Sequence, residues 1–301
     1  MIQKAAVGIG ILGNEGRQAA NNADFSIAQF SFLRRLLFVH GAWSYNRISK
    51  LVLFSFYKNF TLIFMELWFA FYSYWSGKQL FEAWTIAFFN AFSTAFPPLA
   101  FGLFDQTCTA DQRENYPRLY HSSQDSEAFN PREFWKWIAI AIFHSAILFW
   151  MPLFALQTGV HWSNGQTGGI LFLGTTVYTL VVITVCFKAA IEMDAWVWVS
   201  HAFIWGSIPG WFLIFLIYSH WWPGTGKASH MYAMCEAVVS SSTFWLCVLL
   251  VPWCALQLDI LLRVSRVTHN PTVTDRMRME IRRKPKGVSF AIYRREEEVD
   301  V

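Results

Sequence analysis

The sequence predicts an all-α polytopic membrane protein, with six membrane-spanning helices preceded by the end of a soluble α/β domain. Three observations carry that reading. Apolar residues make up 54% of the chain and charged ones 15%, against about 25% charged in an ordinary soluble domain. Six apolar runs reach the roughly 20 residues that a helix needs to cross the hydrocarbon core. The stretch ahead of them is mixed in character, with a strand-like segment followed by a helix-like one.

In chain order, Ala5 to Leu12 reads as a short buried strand and Glu15 to Ala23 as a helix. The first 48 residues end in a basic stretch rather than opening with one, so they do not read as a cleavable signal peptide. The apolar runs are Leu51 to Trp75, Ala83 to Phe104, Trp137 to Leu156, Gly168 to Phe187, Ala195 to Trp222 and Ala237 to Leu258. Backbone groups facing lipid must bond internally, and the runs are too long for barrel strands of about 9 to 11 residues, so each is a helix. Basic residues mark one side: Arg34, Arg35, Arg47 and Lys50 before the first run, Arg113, Arg118 and Arg132 between the second and third, and the tail beyond Arg263. The opposite loops show Lys78 and Lys227, which places both termini in the cytosol. Tyr72, Tyr74 and Trp75, and again Tyr218, Trp221 and Trp222, sit near span ends as interfacial anchors do.

Only the first run carries charge, at Lys58 and Glu66. Lys58 lies about 10 Å beyond Leu51 at 1.5 Å per residue, a depth at which an ammonium marks a functional site. It either snorkels to the interface or points into the bundle. Ser55 and Thr61, three residues to either side, make its face polar, so an inward Lys58 is expected. Glu66 is about 12 Å further along the helix and cannot neutralise it. In the second run Asn90 and Thr94 are four apart and are expected to share a face, while Pro97 and Pro98 remove the donors for the carbonyls of Ser93 and Thr94. Broken helices at bilayer depth mark substrate sites in transporters; a packed proline kink is the structural alternative. Lys58, the adjoining Asn59, Asn90 and Thr94 are the candidate substrate path, with Pro97 and Pro98 as the break.

The remaining runs say less. His144 and His201 have no carboxylate or second ligand at helical spacing and read as core or interface residues. Cys108, Cys186, Cys235, Cys247 and Cys254 show no paired spacing and read as packing residues. No metal ligand, no catalytic residue and no nucleic-acid partner is assigned. The net charge of +4 comes mainly from the tail, which is either solvated or drawn to anionic lipid or an acidic partner. Gly8-Ile9-Gly10-Ile11-Leu12-Gly13 satisfies G-x-G-x-x-G, but its glycines lie partly within the strand and the chain then leads to a membrane helix, so a dinucleotide site is set aside.

That stretch has a more specific likeness. Val7-Gly8-Ile9-Gly10-Ile11, Gly13-Asn14-Glu15-Gly16, Gln18-Ala19-Ala20 and Ala23-Asp24-Phe25 resemble the end of the phosphorylation domain of type IV P-type ATPases, the phospholipid flippases. Gln29-Phe30, Phe32-Leu33-Arg34-Arg35-Leu36-Leu37, Val39-His40-Gly41, Trp43-Ser44-Tyr45 and Phe56-Tyr57-Lys58-Asn59 follow in that family's order. The likeness continues through Asn90, Thr94, Pro97-Pro98, Gly102 and Phe104 to Tyr116-Pro117 and Phe143-His144-Ser145, and reaches about Arg266. Leu12 departs from the small residue usual there, a packing change.

The resemblance implies that the six spans are equivalent to helices five to ten of a P-type ATPase. Residues 1–47 then end the phosphorylation domain and link it to the membrane, 48–266 form the transmembrane domain, and 267–301 are a basic, disordered cytosolic tail. Within it Gly287-Val288-Ser289-Phe290-Ala291 loosely resembles an autoinhibitory segment. The family's phosphorylated aspartate, nucleotide-binding domain and magnesium-binding D-G-x-N-D lie upstream, so the chain reads as the C-terminal part of a longer enzyme that uses Mg2+ and ATP bound by domains absent from this chain. The resemblance further implies transport of aminophospholipids, phosphatidylserine or phosphatidylethanolamine, from the outer to the cytosolic leaflet of a Golgi, endosomal or plasma membrane. It also implies a two-span glycosylated accessory subunit, and an asparagine at the position of Asn90 that contacts the headgroup. Two other classes compete. A cation pump wants carboxylates in its spans, and the second to sixth runs are uncharged in their interiors; a catalytically inert scaffold or channel-like protein would not need half an α/β domain before its first helix.

Overall fold

A tight crossover opens the chain. Strand β1 (Ile9–Ile11) pairs in parallel with β2 (Phe25–Ile27), Ile9 opposite Phe25, and helix α1 (Gln18–Asn21) lies between them in sequence. Gly10 permits this packing: a Cβ there would stand 2.8 Å from the Ala19 carbonyl oxygen. Asp24 accepts the Gly8 N–H at 2.7 Å, which fastens the glycine stretch to the start of β2. Gly10 thus serves packing. The computed structural model describes residues 4–13, 18–157, 162, 165–221 and 229–283. The strand expected over Ala5 to Leu12 therefore narrows to β1, and the helix expected over Glu15 to Ala23 to α1, with 14–17 outside the described residues.

Helix α2 (Phe32–Arg35) passes through a π-helical turn at Leu36–Gly41 into α3 (Ala42–Tyr72). The first spanning helix thus begins well before Leu51, because helical hydrogen bonding does not stop where hydropathy does. The second span is broken in two: α4 (Ala83–Phe88) widens into a π-helical segment at Phe89–Ser93, and α5 (Phe96–Phe104) follows. Short α6 (Ala110–Asn115) and α7 (His121–Gln124) lead to the long α8 (Pro131–Gln157), then α9 (Ile170–Glu192), α10 (Trp198–His220), the short α11 (Met234–Ser240) and α12 (Ser242–His269). Among the described residues six helical segments are long and apolar enough to span a membrane, so this is a multi-pass membrane protein.

Helix α9 is the most enclosed of the six. Its hydroxyls are absorbed locally: Thr175, Thr176, Thr179 and Thr184 each bond the carbonyl four residues back, which lets polar side chains lie in an apolar core. Gly174 lets the backbones meet, since a Cβ there would lie 2.1 Å from the Leu80 carbonyl oxygen. Tyr178 packs on Trp211 with ring centroids 4.5 Å apart, while its hydroxyl reaches the Thr85 carbonyl at 2.9 Å. Helices α3, α5, α8, α9 and α10 pack around this core.

At one end of the bundle Lys50, one of the bases counted for orientation, turns out to be structural. Lys50 donates to Asp105 Oδ2 at 2.6 Å, to Asp194 and to the Glu192 carbonyl. Asp105, 3% exposed, accepts the N–H groups of Asp194 and Ala195 with its other oxygen. The start of α3, the end of α5 and the link from α9 to α10 are thereby joined. Nearer the opposite end, Glu66 is a capping group, accepting the N–H groups of Leu80 and Phe81 at 3.2 and 3.1 Å. Among the expected anchors Tyr74 and Trp75 are exposed and Tyr218 is buried, while Trp222 and Lys227 lie outside the described residues. The cysteines are free thiols, four of them buried.

From Leu262 a second unit begins. It contains α13 (Val273–Arg283), so the expectation of disorder over 267–301 does not hold for this part. Thr272 and Asp275 explain the helix: the Thr272 hydroxyl donates to Asp275 Oδ2 at 2.7 Å and accepts the Asp275 N–H at 3.2 Å, a reciprocal cap. Gly287 to Ala291 and the rest of 284–301 lie outside the described residues.

Candidate site at the break of the second span

Pro97 and Pro98 lie in the first turn of α5, where a missing N–H removes no helical bond. The cost falls on the carbonyls before them. Thr94, with φ −130° and ψ 23°, has left the helix, and its carbonyl has no N–H to accept from within its own span. Lys58 supplies the donor: Nζ is 3.1 Å from the Thr94 carbonyl oxygen and 3.0 Å from its hydroxyl. The hydroxyl in turn donates to the Phe89 carbonyl at 2.7 Å, and the ammonium lies 5.8 Å from the Phe89 ring centroid. Lys58 is 5% exposed and points inward, as its polar face predicted. Thr61, however, adds nothing to that face, since its hydroxyl is bound to the Tyr57 carbonyl at 2.8 Å.

Asn90 does not join this group. The π-helical segment holds five residues per bonded turn, so the N–H of Thr94 reaches back to Phe89, at 3.0 Å, rather than to Asn90. Thr94 is buried and Asn90 exposed, and the face they were expected to share does not exist. Asn59, beside Lys58 in sequence, is half-buried. Among the described residues neither asparagine side chain has a hydrogen-bond partner, so both amides are open to a ligand.

The electrostatics follow from what surrounds the ammonium. Among the described residues no carboxylate lies within ion-pairing distance of Lys58. Its charge is met by one carbonyl, one hydroxyl and one ring face, which leaves net positive charge at the break in a low-dielectric setting. Such a place favours an anionic group.

A second buried lysine was missed. Lys188 and Asp259 lie inside α9 and α12, each one residue past an apolar run read from hydropathy. Lys188 Nζ stands 2.9 Å from Asp259 Oδ1 and 2.7 Å from Glu192 Oε1. It also lies 4.6 Å from the Trp137 ring centroid. The later runs are uncharged within their bounds, but their helices extend past them and carry these charges. Each charge ended its run on a hydropathy scale, yet the pair neutralises itself once the helices meet. His144 is the buried core residue that was expected, and another helix sets a carboxylate beside it, with Nε2 3.5 Å from Asp259 Oδ2. The spacing Lys188 to Glu192, four apart on one helix, was the available signal.

Among the described residues, six helical segments are long and apolar enough to cross a membrane, and the second of them is broken beside an inward cation. The family described as "Phospholipid-translocating P-type ATPase C-terminal" matches residues 20–272, and the chain belongs to it. It is 47% identical over 273 residues to phospholipid-transporting ATPase tat-1 of Caenorhabditis elegans, covering 90% of this chain and 24% of that protein. Phospholipid-transporting ATPase DRS2 of Saccharomyces cerevisiae is 39% identical over 272 residues, with 90% and 20% covered. A probable phospholipid-transporting ATPase IM from Homo sapiens is 34% identical over 292 residues, with 92% and 24% covered. The chain thus spans less than a quarter of the length of these relatives.

Proposed function

We propose that this chain forms the lipid-path region of an ATP-driven phospholipid flippase, and that Lys58, Asn59, Asn90 and Thr94 line the route of the headgroup. The carrying observation is Lys58 Nζ on the freed Thr94 carbonyl, a buried cation without a carboxylate, suited to a lipid phosphate. Asn59 and Asn90 offer amides to the rest of the headgroup. The substrates are aminophospholipids, phosphatidylserine or phosphatidylethanolamine, moved from the outer to the cytosolic leaflet; the names of the relatives support phospholipid transport in general. The alternating loop charges support cytosolic termini. The resemblance to flippases supports a two-span accessory subunit and a Golgi, endosomal or plasma membrane location.

ATP and Mg2+ drive the reaction from regions other than this bundle. Its internal carboxylates do not fit a metal: Asp105 and Asp194 are engaged by Lys50, and Asp259 and Glu192 by Lys188. The test is lipid-stimulated ATP hydrolysis by the purified full-length enzyme, titrated with phosphatidylserine, phosphatidylethanolamine and phosphatidylcholine. Lys58→Ala raises the half-activating concentration of the preferred lipid while expression stays nearly intact. Unchanged lipid dependence overturns the reading.

A further inference from the structure

Tyr57 and Lys58 are neighbours in sequence and therefore about 100° apart around α3. Lys58 reaches the broken second span; Tyr57 reaches the other way, into α8. Its hydroxyl lies 2.6 Å from His144 Nδ1, and His144 Nε2 in turn faces Asp259 Oδ2 of α12 at 3.5 Å. Asp259 is held by Lys188 of α9 through its other oxygen, at 2.9 Å. With the Tyr57 O–H donating to Nδ1, the imidazole carries its proton on Nε2, an assignment made from that one bond; Nε2 and Asp259 Oδ2 face each other without a hydrogen bond. Lys188 also stands 5.9 Å from the Tyr57 ring centroid, and Trp137 meets the Tyr57 ring edge-on at 6.0 Å. Tyr57 and His144 are wholly buried.

We infer that Tyr57 is a positioning residue: its hydrogen bond to His144 of α8 fixes the rotation of α3 and thereby sets where the Lys58 ammonium meets the break at Thr94. The inference rests on the reading of Lys58 as part of the headgroup route. A phenylalanine would fill the same space in an apolar core, so the buried hydroxyl acts through direction rather than through volume. A helix with its side chains is about 10–12 Å across, so turning α3 by about 10° moves the tip of Lys58 by about 1 Å. A misplacement of that size is enough to degrade a site built on a few polar contacts.

The experiment is a double-mutant cycle in the full-length enzyme, read as the half-activating phosphatidylserine concentration in mixed micelles, with melting temperature recorded alongside. Tyr57→Phe and His144→Ala break this bond from its two sides, and each is expected to raise that concentration by about threefold to tenfold, the worth of one buried hydrogen bond. His144→Gln, whose amide oxygen can accept the Tyr57 hydroxyl, is expected to recover most of the loss. In a Lys58→Ala background Tyr57→Phe is expected to add no further shift. A Tyr57→Phe enzyme that melts earlier but keeps its half-activating concentration, or an equal shift in both backgrounds, overturns the positioning role alone. If Lys58→Ala itself leaves the lipid titration unmoved, the headgroup reading falls and this inference with it.

Discussion

Lys58 and Lys188 are both lysines enclosed by the bundle, 5% and 2% exposed, yet they are held in opposite ways. Lys188 is balanced by Asp259 and Glu192 and lies against Trp137. Lys58 meets the carbonyl and hydroxyl of one threonine, and its charge is left over. Removing two charges from water costs several kcal/mol each, and a well-formed pair recovers most of it. A balanced lysine is therefore a fastening between helices. An unbalanced one leaves positive charge at the break of the second span.

Removing Lys188 is the most severe challenge to this contrast. Lys188→Met leaves Asp259 buried without its cation and is expected to cost about 3–5 kcal/mol, seen as poor accumulation and an early melting transition of the detergent-solubilised enzyme. Replacing both partners, as Lys188→Met with Asp259→Leu, is expected to restore most of that stability. A double variant no better than the single one would show that the cluster does more than balance charge.

Lys58→Ala is expected to behave the other way. The loss of hydrogen bonds to a charged group, about 1.5–3 kcal/mol, goes into lipid binding and raises the half-activating concentration by about tenfold to a hundredfold. Melting temperature stays close to that of the parent, because the burial cost of the cation disappears with it. A large drop in melting temperature at unchanged lipid dependence would move Lys58 into the same class as Lys188.

Lys50 is the intermediate case, balanced by Asp105 and Asp194 but 21% exposed at its side chain. Lys50→Ala is expected to lower stability by about 1–3 kcal/mol, less than Lys188→Met because water can reach the carboxylates left behind. Thermal melts of the two variants side by side give the comparison.

Asn90 tests the smallest effect. It is exposed, so in Asn90→Ala water takes over part of what the amide offered the headgroup, and the change is worth about 0.5–1.5 kcal/mol, a rise of about twofold to tenfold in half-activating lipid. The ranking among phosphatidylserine, phosphatidylethanolamine and phosphatidylcholine is expected to change and melting temperature to hold. An Asn90→Ala enzyme with the parent's lipid ranking would remove Asn90 from the route.

Particular residues show how far the sequence could be read. Lys58 was legible because one charge in a long apolar run has a single physical meaning, and Pro97 and Pro98 because a missing N–H is written in the residue itself. The pairing of Asn90 with Thr94 was read from four-residue spacing and failed, since the π-helical turn at Phe89–Ser93 changes the count. Nothing in the residue types of that segment signals the wider turn. Lys188 and Asp259 went unread because each stands just past an apolar run, and a pair that cancels in space looks on a hydropathy scale like the end of a span.

Hydrophobic length, proline chemistry and the depth of a charge are local properties of the chain, so the class of protein, its apolar spans, the break in the second and the cation in the first were all written in the residues. Which charges cancel, which carbonyl Lys58 reaches and which way Tyr57 holds α3 were settled when helices distant in sequence came together, because electrostatic balance and hydrogen bonding depend on distances of a few ångströms that no single helix contains.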